Sequence, residues 1–181
     1  MTELHKRPWL VLAGLALGVT VTNGFARFAY GLIVPAMQSD LGWNYAQAGW
    51  LNTANALGYI AGAVLTMLLI GRYSAASLFS FGLITTNLAL LSTGLIPDLW
   101  WQTLWRILAG FFGAMSFSTA GVLAAGLFAN DPRRNALAIA IVFGTGGGLA
   151  IVVSGASLPL FLEHFGANHW PIAWIIIAAI C

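Results

Sequence analysis

Residues Ala136 to Leu162 read ALAIAIVFGTGGGLAIVVSGASLPLFL, without a single charged side chain. As a helix rising 1.5 Å per residue this stretch is about 40 Å long, more than the roughly 30 Å of a bilayer's hydrocarbon core. An open strand cannot occupy that environment, because every backbone N–H and C=O in lipid must find its partner within the segment. The run therefore reads as a membrane-spanning helix, and it sets the pattern for the rest of the chain.

The pattern recurs. Apolar stretches run from Pro8 to Met37, Tyr45 to Ile70, Ala75 to Ile96 and Leu99 to Ala129, and a last one opens at Trp170. The breaks between them hold Gly, Pro, Asn, Asp and charged residues, the usual punctuation of turns. The sequence predicts an all-α membrane protein with spans at about 8–37, 45–70, 75–96, 99–129, 136–162 and 170–181. Composition agrees: 60% of residues are hydrophobic and 7% charged, with a mean hydropathy of +0.88. A water-soluble domain carries roughly a quarter charged residues, so most of this surface must face lipid. The sixth run covers only about 18 Å of helix, too short to cross. The expectation is that 1–181 forms an amino-terminal transmembrane domain whose sixth helix is incomplete, in a product about twice as long.

Several function classes drop out. A net charge of +2 is far too small for a nucleic-acid footprint, so no nucleic acid is expected as a partner. Cys181 is the one cysteine, and His5, His164 and His169 lie outside the apolar runs, so no metal site, haem or other cofactor is expected. Gly155-Ala156-Ser157 could mimic a nucleophile segment, but no span holds a histidine to serve as its base, and an enzyme is not expected. Lys6 and Arg7 before an apolar run resemble a signal peptide. The run continues to Pro35 and further spans follow, so it reads as a retained first helix.

Charge sets orientation. With a cytoplasmic N-terminus, Lys6, Arg7, Arg72, Arg133 and Arg134 share the inner side, and the opposite loops hold Asp40, Asp98 and Glu163 without any Lys or Arg. This positive-inside bias predicts a multi-pass protein with a cytoplasmic N-terminus. Trp9, Trp43, Trp50, Trp100, Trp101 and Trp170 fall near span ends, where an aromatic belt belongs.

Two charges remain inside the spans, Arg27 and Arg106. A cation in the membrane interior must face protein or water, which makes each a functional candidate. Three- and four-residue steps place Thr20, Asn23, Arg27 and Tyr30 on one face of the first helix. The same spacing aligns Asn52, Asn55, Tyr59, Gly62 and Thr66 on the second helix, and Thr103, Arg106, Gly110, Gly113 and Ser116 on the fourth. Helices that each carry one polar stripe line a cavity rather than sit in lipid. The candidate cavity residues are Asn23, Arg27, Tyr30, Asn52, Asn55, Tyr59 and Arg106; of these, Arg27, Asn52, Asn55 and Arg106 are expected in one polar layer of the outer half of the membrane, with Asn87 at a similar depth. The competing reading is a structural network in which each arginine fixes helix packing; Arg27 is the better candidate for contact with a solute or counter-charge, and Arg106 is expected to be a structural or proton-coupling element. All acidic residues lie in loops, so nothing in the spans neutralises either arginine, and the surplus charge tilts the reading toward an anionic solute. Gly58, Gly62, Gly110, Gly113, Gly144 and Gly148 are expected to let helices approach closely, as is Gly14 with Gly18. Gly144-Thr145-Gly146-Gly147-Gly148 lacks the Lys-Ser/Thr ending of a phosphate loop and sits mid-span.

These residues also resemble a known family, the major facilitator superfamily. Leu104-Trp-Arg-Ile-Leu-Ala-Gly-Phe-Phe-Gly-Ala114 is similar to its fourth-helix motif, an arginine followed by spaced glycines. Gly144 to Gly155 resembles its glycine-rich fifth-helix motif, without the Gly-Pro often found there. Gly24-Phe-Ala-Arg-Phe-Ala-Tyr-Gly-Leu-Ile-Val-Pro35, with Leu41-Gly-Trp and Ala46-Gln-Ala-Gly, looks most like the bacterial YbfB/YjiJ-type branch. One loop departs from the superfamily pattern: Ile70-Gly71-Arg72-Tyr73-Ser74 keeps Arg72 but has Gly71 where an aspartate would stand, so a charge relay on that aspartate does not carry over. The resemblance implies two six-helix halves, of which this would be the first, and alternating access around a site near the midplane. It further implies a small-molecule solute, the lipid bilayer and a missing C-terminal half as partners, with a coupling proton as a family-level expectation. The function expected is secondary active transport of a small solute across a bacterial inner membrane. The alternatives are a non-transporting membrane subunit, whose polar stripes bind partner helices, and an inactive half-transporter fragment.

Overall fold

The computed structural model describes residues 7–181. His5, and Lys6 of the inner-side charge cluster, lie outside them. The described residues form six helices: α1 (Pro8–Leu41), α2 (Tyr45–Leu69), α3 (Ala75–Thr93), α4 (Leu99–Leu127), α5 (Pro132–Phe165) and α6 (Trp170–Ile180). The first five are long and apolar enough to cross a membrane. The fold is an all-α bundle with no strand among the described residues. Leu57, Ile60, Val64, Met67 and Leu68 on α2 are exposed, as are Ile151, Val152 and Val153 on α5. Such surfaces are stable only against lipid or further protein.

The boundaries have local causes. Gly42 stops α1 in the left-handed region at φ 64°, a conformation glycine adopts without a Cβ clash. Asn44 and Gln47 then open α2 with a reciprocal capping box: the Gln47 N–H donates to Asn44 Oδ1 at 2.9 Å, and the Asn44 N–H donates to Gln47 Oε1 at 3.0 Å. Asp98 caps α4 by accepting from the Trp101 N–H at 2.8 Å, and Asp131 caps α5 by accepting from the Arg133 and Arg134 N–H groups. Asp98 and Asp131 therefore serve helix starts. The turn from α3 to α4 is tied down from inside by Gln102, whose Nε2 donates to the Thr93 and Ile96 carbonyls, each at 2.7 Å.

Helix α4 is the axis of the bundle, packed against α2 and α3 over most of its length and against α1 and α5 along shorter stretches. Hydrophobic exclusion does not drive helices together inside lipid. Close packing does, and small residues permit it. A Cβ at Gly58 or Gly62 would collide with the Ile107 or Phe111 carbonyl, and one at Gly110 with the Asn55 carbonyl. Gly113 leaves 2.9 Å to the Thr22 carbonyl for such an atom, and Gly82 leaves 2.8 Å to that of Phe112. Where α5 meets α1, the close approach falls on Gly146, against the Ala16 carbonyl and the Val19 side chain. Gly144 and Gly148, together with Gly14, have nothing within 4 Å of a would-be Cβ. The contact follows directly on a π-helical turn of α5 over Ile141–Thr145.

The aromatic belt also divides. Trp9 and Trp100 are exposed. Trp170 is 1% exposed, and its Nε1 donates to Asp40 Oδ2 at 2.9 Å, fastening the start of α6 to the end of α1.

Candidate functional site

The site begins in an irregular part of α1. Over Thr20–Phe28 the helix runs as a π-helix. This stretch opens with Thr20-Val21-Thr22, whose β-branched side chains crowd the preceding turn. The hydroxyls of Thr20 and Thr22 donate back to the Ala16 and Gly18 carbonyls at 3.0 Å, an arrangement that bends helices. Gly24 then lets the widened segment press against Ala150 of α5. Asn23 and Arg27 both sit in this segment.

Arg27 is exposed, with its guanidinium carbon 5.5 Å from the centroid of the Tyr59 ring on α2. Among the described residues it has no hydrogen-bonding or ion-pair partner. It lies at a cleft of about 360 Å³ between α1 and α2, shared with Phe28, Tyr30, Gln38, Tyr45 and Asn52. The acidic residues Asp40, Asp98, Asp131 and Glu163 all sit at helix ends, and none lines this cleft.

Arg106 is in a different place. It is 1% exposed, and its Nη1 donates to the Ala26 carbonyl at 2.8 Å. A wide π turn has a looser backbone ladder, which suits a carbonyl that accepts from outside the helix. The guanidinium carbon stands 4.3 Å from the Tyr30 ring centroid and 5.9 Å from that of Trp174 on α6. Cation–π attraction replaces part of the hydration lost on burial. Asn55 completes the junction, its Nδ2 donating to the Arg106 carbonyl at 2.9 Å. Nε and Nη2 of Arg106 and Oδ1 of Asn87 are buried without a partner.

The single polar layer drawn from the sequence is thus two compartments. Arg27, Tyr30 and Asn52 line the open cleft, and Tyr59 stands beside Arg27 outside that lining. Arg106 and Asn55 lie behind it, inside the bundle. Asn23 is half-buried in the π segment and outside the cleft's lining. Tyr30 is the partition: its ring packs on Arg106, and its hydroxyl donates to the Ala48 carbonyl of α2 at 2.8 Å. Tyr30→Phe should therefore cost about 1 kcal/mol of stability through the lost hydrogen bond. Tyr30→Ala, which also strips the cover from Arg106, should cost about 3 kcal/mol or more. Detergent-solubilised unfolding of the two variants measures the gap, and equal losses would show that the ring contributes nothing.

Some of these residues carry no sequence signal of a site. Phe28 and Tyr45 look like ordinary span residues, and Gln38 like part of a polar break, until α1 and α2 are set side by side. Trp174 sits in a uniformly apolar helix, and nothing in its neighbours marks it as cover for a buried cation.

Comparison with known proteins fits this architecture. A family described as the uncharacterised MFS-type transporter YbfB matches residues 19–181. A Haemophilus influenzae protein, described provisionally as a metabolite transport protein, is 27% identical over 167 residues. That match covers 91% of this chain and 39% of the relative, so the chain spans about two-fifths of the relative's length.

Proposed function

Since the chain belongs to the family of the MFS-type transporter YbfB, we propose that it forms one wall of a secondary active transporter that carries a small anionic solute by alternating access. Five of its helices are long and apolar enough to cross a membrane, and the family it matches is described as an MFS-type transporter, which supports transport over catalysis. Arg27 carries the reading: a cation without an acidic partner, exposed at a cleft bordered by Asn52 and Tyr30, with Tyr59 beside it. An uncompensated charge at membrane depth is costly unless water or a ligand meets it. A second six-helix half closes the open side of the cleft and supplies the wall against which this one rocks. Arg106 fixes the geometry of the wall, and a proton gradient drives the cycle. The membrane is the inner one of a bacterium, as the family resemblance implies, and the N-terminus faces the cytoplasm, as the charge bias of Arg7, Arg72, Arg133 and Arg134 supports.

The test is flux. The complete gene product that carries this chain, reconstituted in proteoliposomes with an imposed proton gradient, should accumulate at least one organic anion, and an uncoupler should abolish the accumulation. Failure to move any anion, cation or neutral compound in a broad panel would end the transporter reading.

A further inference from the structure

The cleft at Arg27 has enough chemistry to say what kind of anion fits it. We propose that it binds a monocarboxylate with a flat, apolar body, of the size of a single-ring arene carboxylate. The inference rests on the transporter reading and adds the substrate class to it.

Charge comes first. Arg27 is the one cation at the cleft, and the acids among the described residues lie elsewhere. A monoanion brings the site to neutrality. A dianion would hold its second charge against the Tyr30 ring, which screens the cleft from the Arg106 guanidinium behind it, and a cation would double the positive charge at the cleft. Geometry comes second. The Tyr59 ring lies beside the Arg27 guanidinium, 5.5 Å from its carbon, and the planar fork of N–H donors remains unpaired among the described residues. That fork matches the two oxygens of a carboxylate, with two parallel hydrogen bonds.

The walls come third. Phe28 is 44% exposed and Tyr45 is 89% exposed, both on this cleft, with Val34 between them on the α1 side. Exposed aromatic surface in a pocket is best covered by another flat apolar surface, through offset or edge-to-face contact. Gln38 and Asn52 supply neutral amides on the same lining, able to donate to or accept from a ring substituent. Size comes last. About 360 Å³ is near the lower end of the range of roughly 300–1,000 Å³ for small-molecule sites. A single ring fills that much of the open cleft, whose remaining wall belongs to the second half.

Benzoate is the probe, and benzamide is its neutral counterpart of the same shape. Equilibrium dialysis of the complete transporter in detergent should show benzoate bound at least about tenfold more tightly than benzamide, the increment of a charge-assisted hydrogen-bond pair. Cyclohexanecarboxylate should bind more weakly than benzoate, and phthalate more weakly than either. Arg27→Gln should erase the preference for benzoate over benzamide, and Arg27→Lys should restore part of it. Equal binding of the two by the parent protein, a preference undiminished in Arg27→Gln, or no benzoate binding at all would overturn the inference. Gradient-driven uptake of some other solute by the same protein, with benzoate ignored, would overturn the substrate class and leave the transporter reading standing.

Discussion

Arg27→Ala is expected to abolish solute transport by the complete protein while leaving its folding and membrane insertion intact. The two halves of that expectation rest on different magnitudes. Arg27 is exposed and has no hydrogen-bond or ion-pair partner among the described residues, so its contribution to the fold is its contact with Tyr59. A cation–π contact of this kind contributes about 0.5–1 kcal/mol at an exposed site, too little to unfold the bundle. The loss at the site is larger. Removing the cation leaves a bound carboxylate without its counter-charge, at a cost of about 3 kcal/mol, or roughly a hundredfold in affinity. Concentrative uptake in proteoliposomes, paired with elution of the variant from a sizing column, separates the two effects. Transport at parental rates by a well-folded Arg27→Ala protein would remove Arg27 from the site.

Gly110→Ala is expected to be among the most damaging single-methyl changes in the fold, in a class with Gly58→Ala and Gly62→Ala on the same α2–α4 contact, and Gly148→Ala to be silent or mildly stabilising. Two opposing effects are in play. Alanine is the better helix former, by about 1 kcal/mol, and this favours both variants. At Gly110 the new methyl collides with the Asn55 carbonyl, and the Tyr59 backbone nitrogen lies 3.0 Å away. Backbone cannot rotate aside as a flexible side chain can, so α2 and α4 must separate. The loss should be about 3 kcal/mol, which outweighs the gain in propensity. At Gly148 nothing lies within 4 Å and the propensity gain stands alone. Thermal or denaturant unfolding in one detergent ranks the pair. Equal stability would mean that the α2–α4 contact yields more readily than its backbone spacing implies.

Separating α2 from α4 would do more than lower stability. Asn55 sits at the collision point and also donates to the Arg106 carbonyl, so the buried junction would be disturbed together with the packing. The site and the bundle share this contact.

Helices were legible in the sequence because lipid imposes a simple rule: charge is excluded over a fixed length, and five stretches obey it but for one arginine in the first and one in the fourth. Arg27 and Arg106 stood out for the same reason. The sequence favours Arg27 over Arg106 for solute contact, but the open cleft around one and the closed interior around the other were not legible. Placing Thr20, Asn23, Arg27 and Tyr30 on one face assumes 3.6 residues per turn throughout α1. The π-helical stretch Thr20–Phe28 breaks that assumption, so Thr20 and Tyr30 are buried while Arg27 is exposed. In α5 the close approach likewise falls outside the expected pair Gly144 and Gly148, on Gly146, directly after the turn at Ile141–Thr145. Turn widening depends on how Thr hydroxyls, glycines and a neighbouring helix act together, and no single-residue preference reports it. Gln102 shows another limit: its spacing marks nothing, and only the folded turn brings two carbonyls within its reach.

The widened stretch of α1 has one more consequence. A π turn stores about one residue more than an α turn. Loss of one codon within Thr20–Phe28 could be absorbed by relaxation to the tighter spiral, leaving the flanking anchors such as Leu15 and Ile33 in register with their neighbours. What would change is the set of groups offered to the cleft between those anchors. In most transmembrane segments a deletion dephases everything beyond it. Here the slack confines it, so this part of the chain can vary in length while the scaffold on either side holds still.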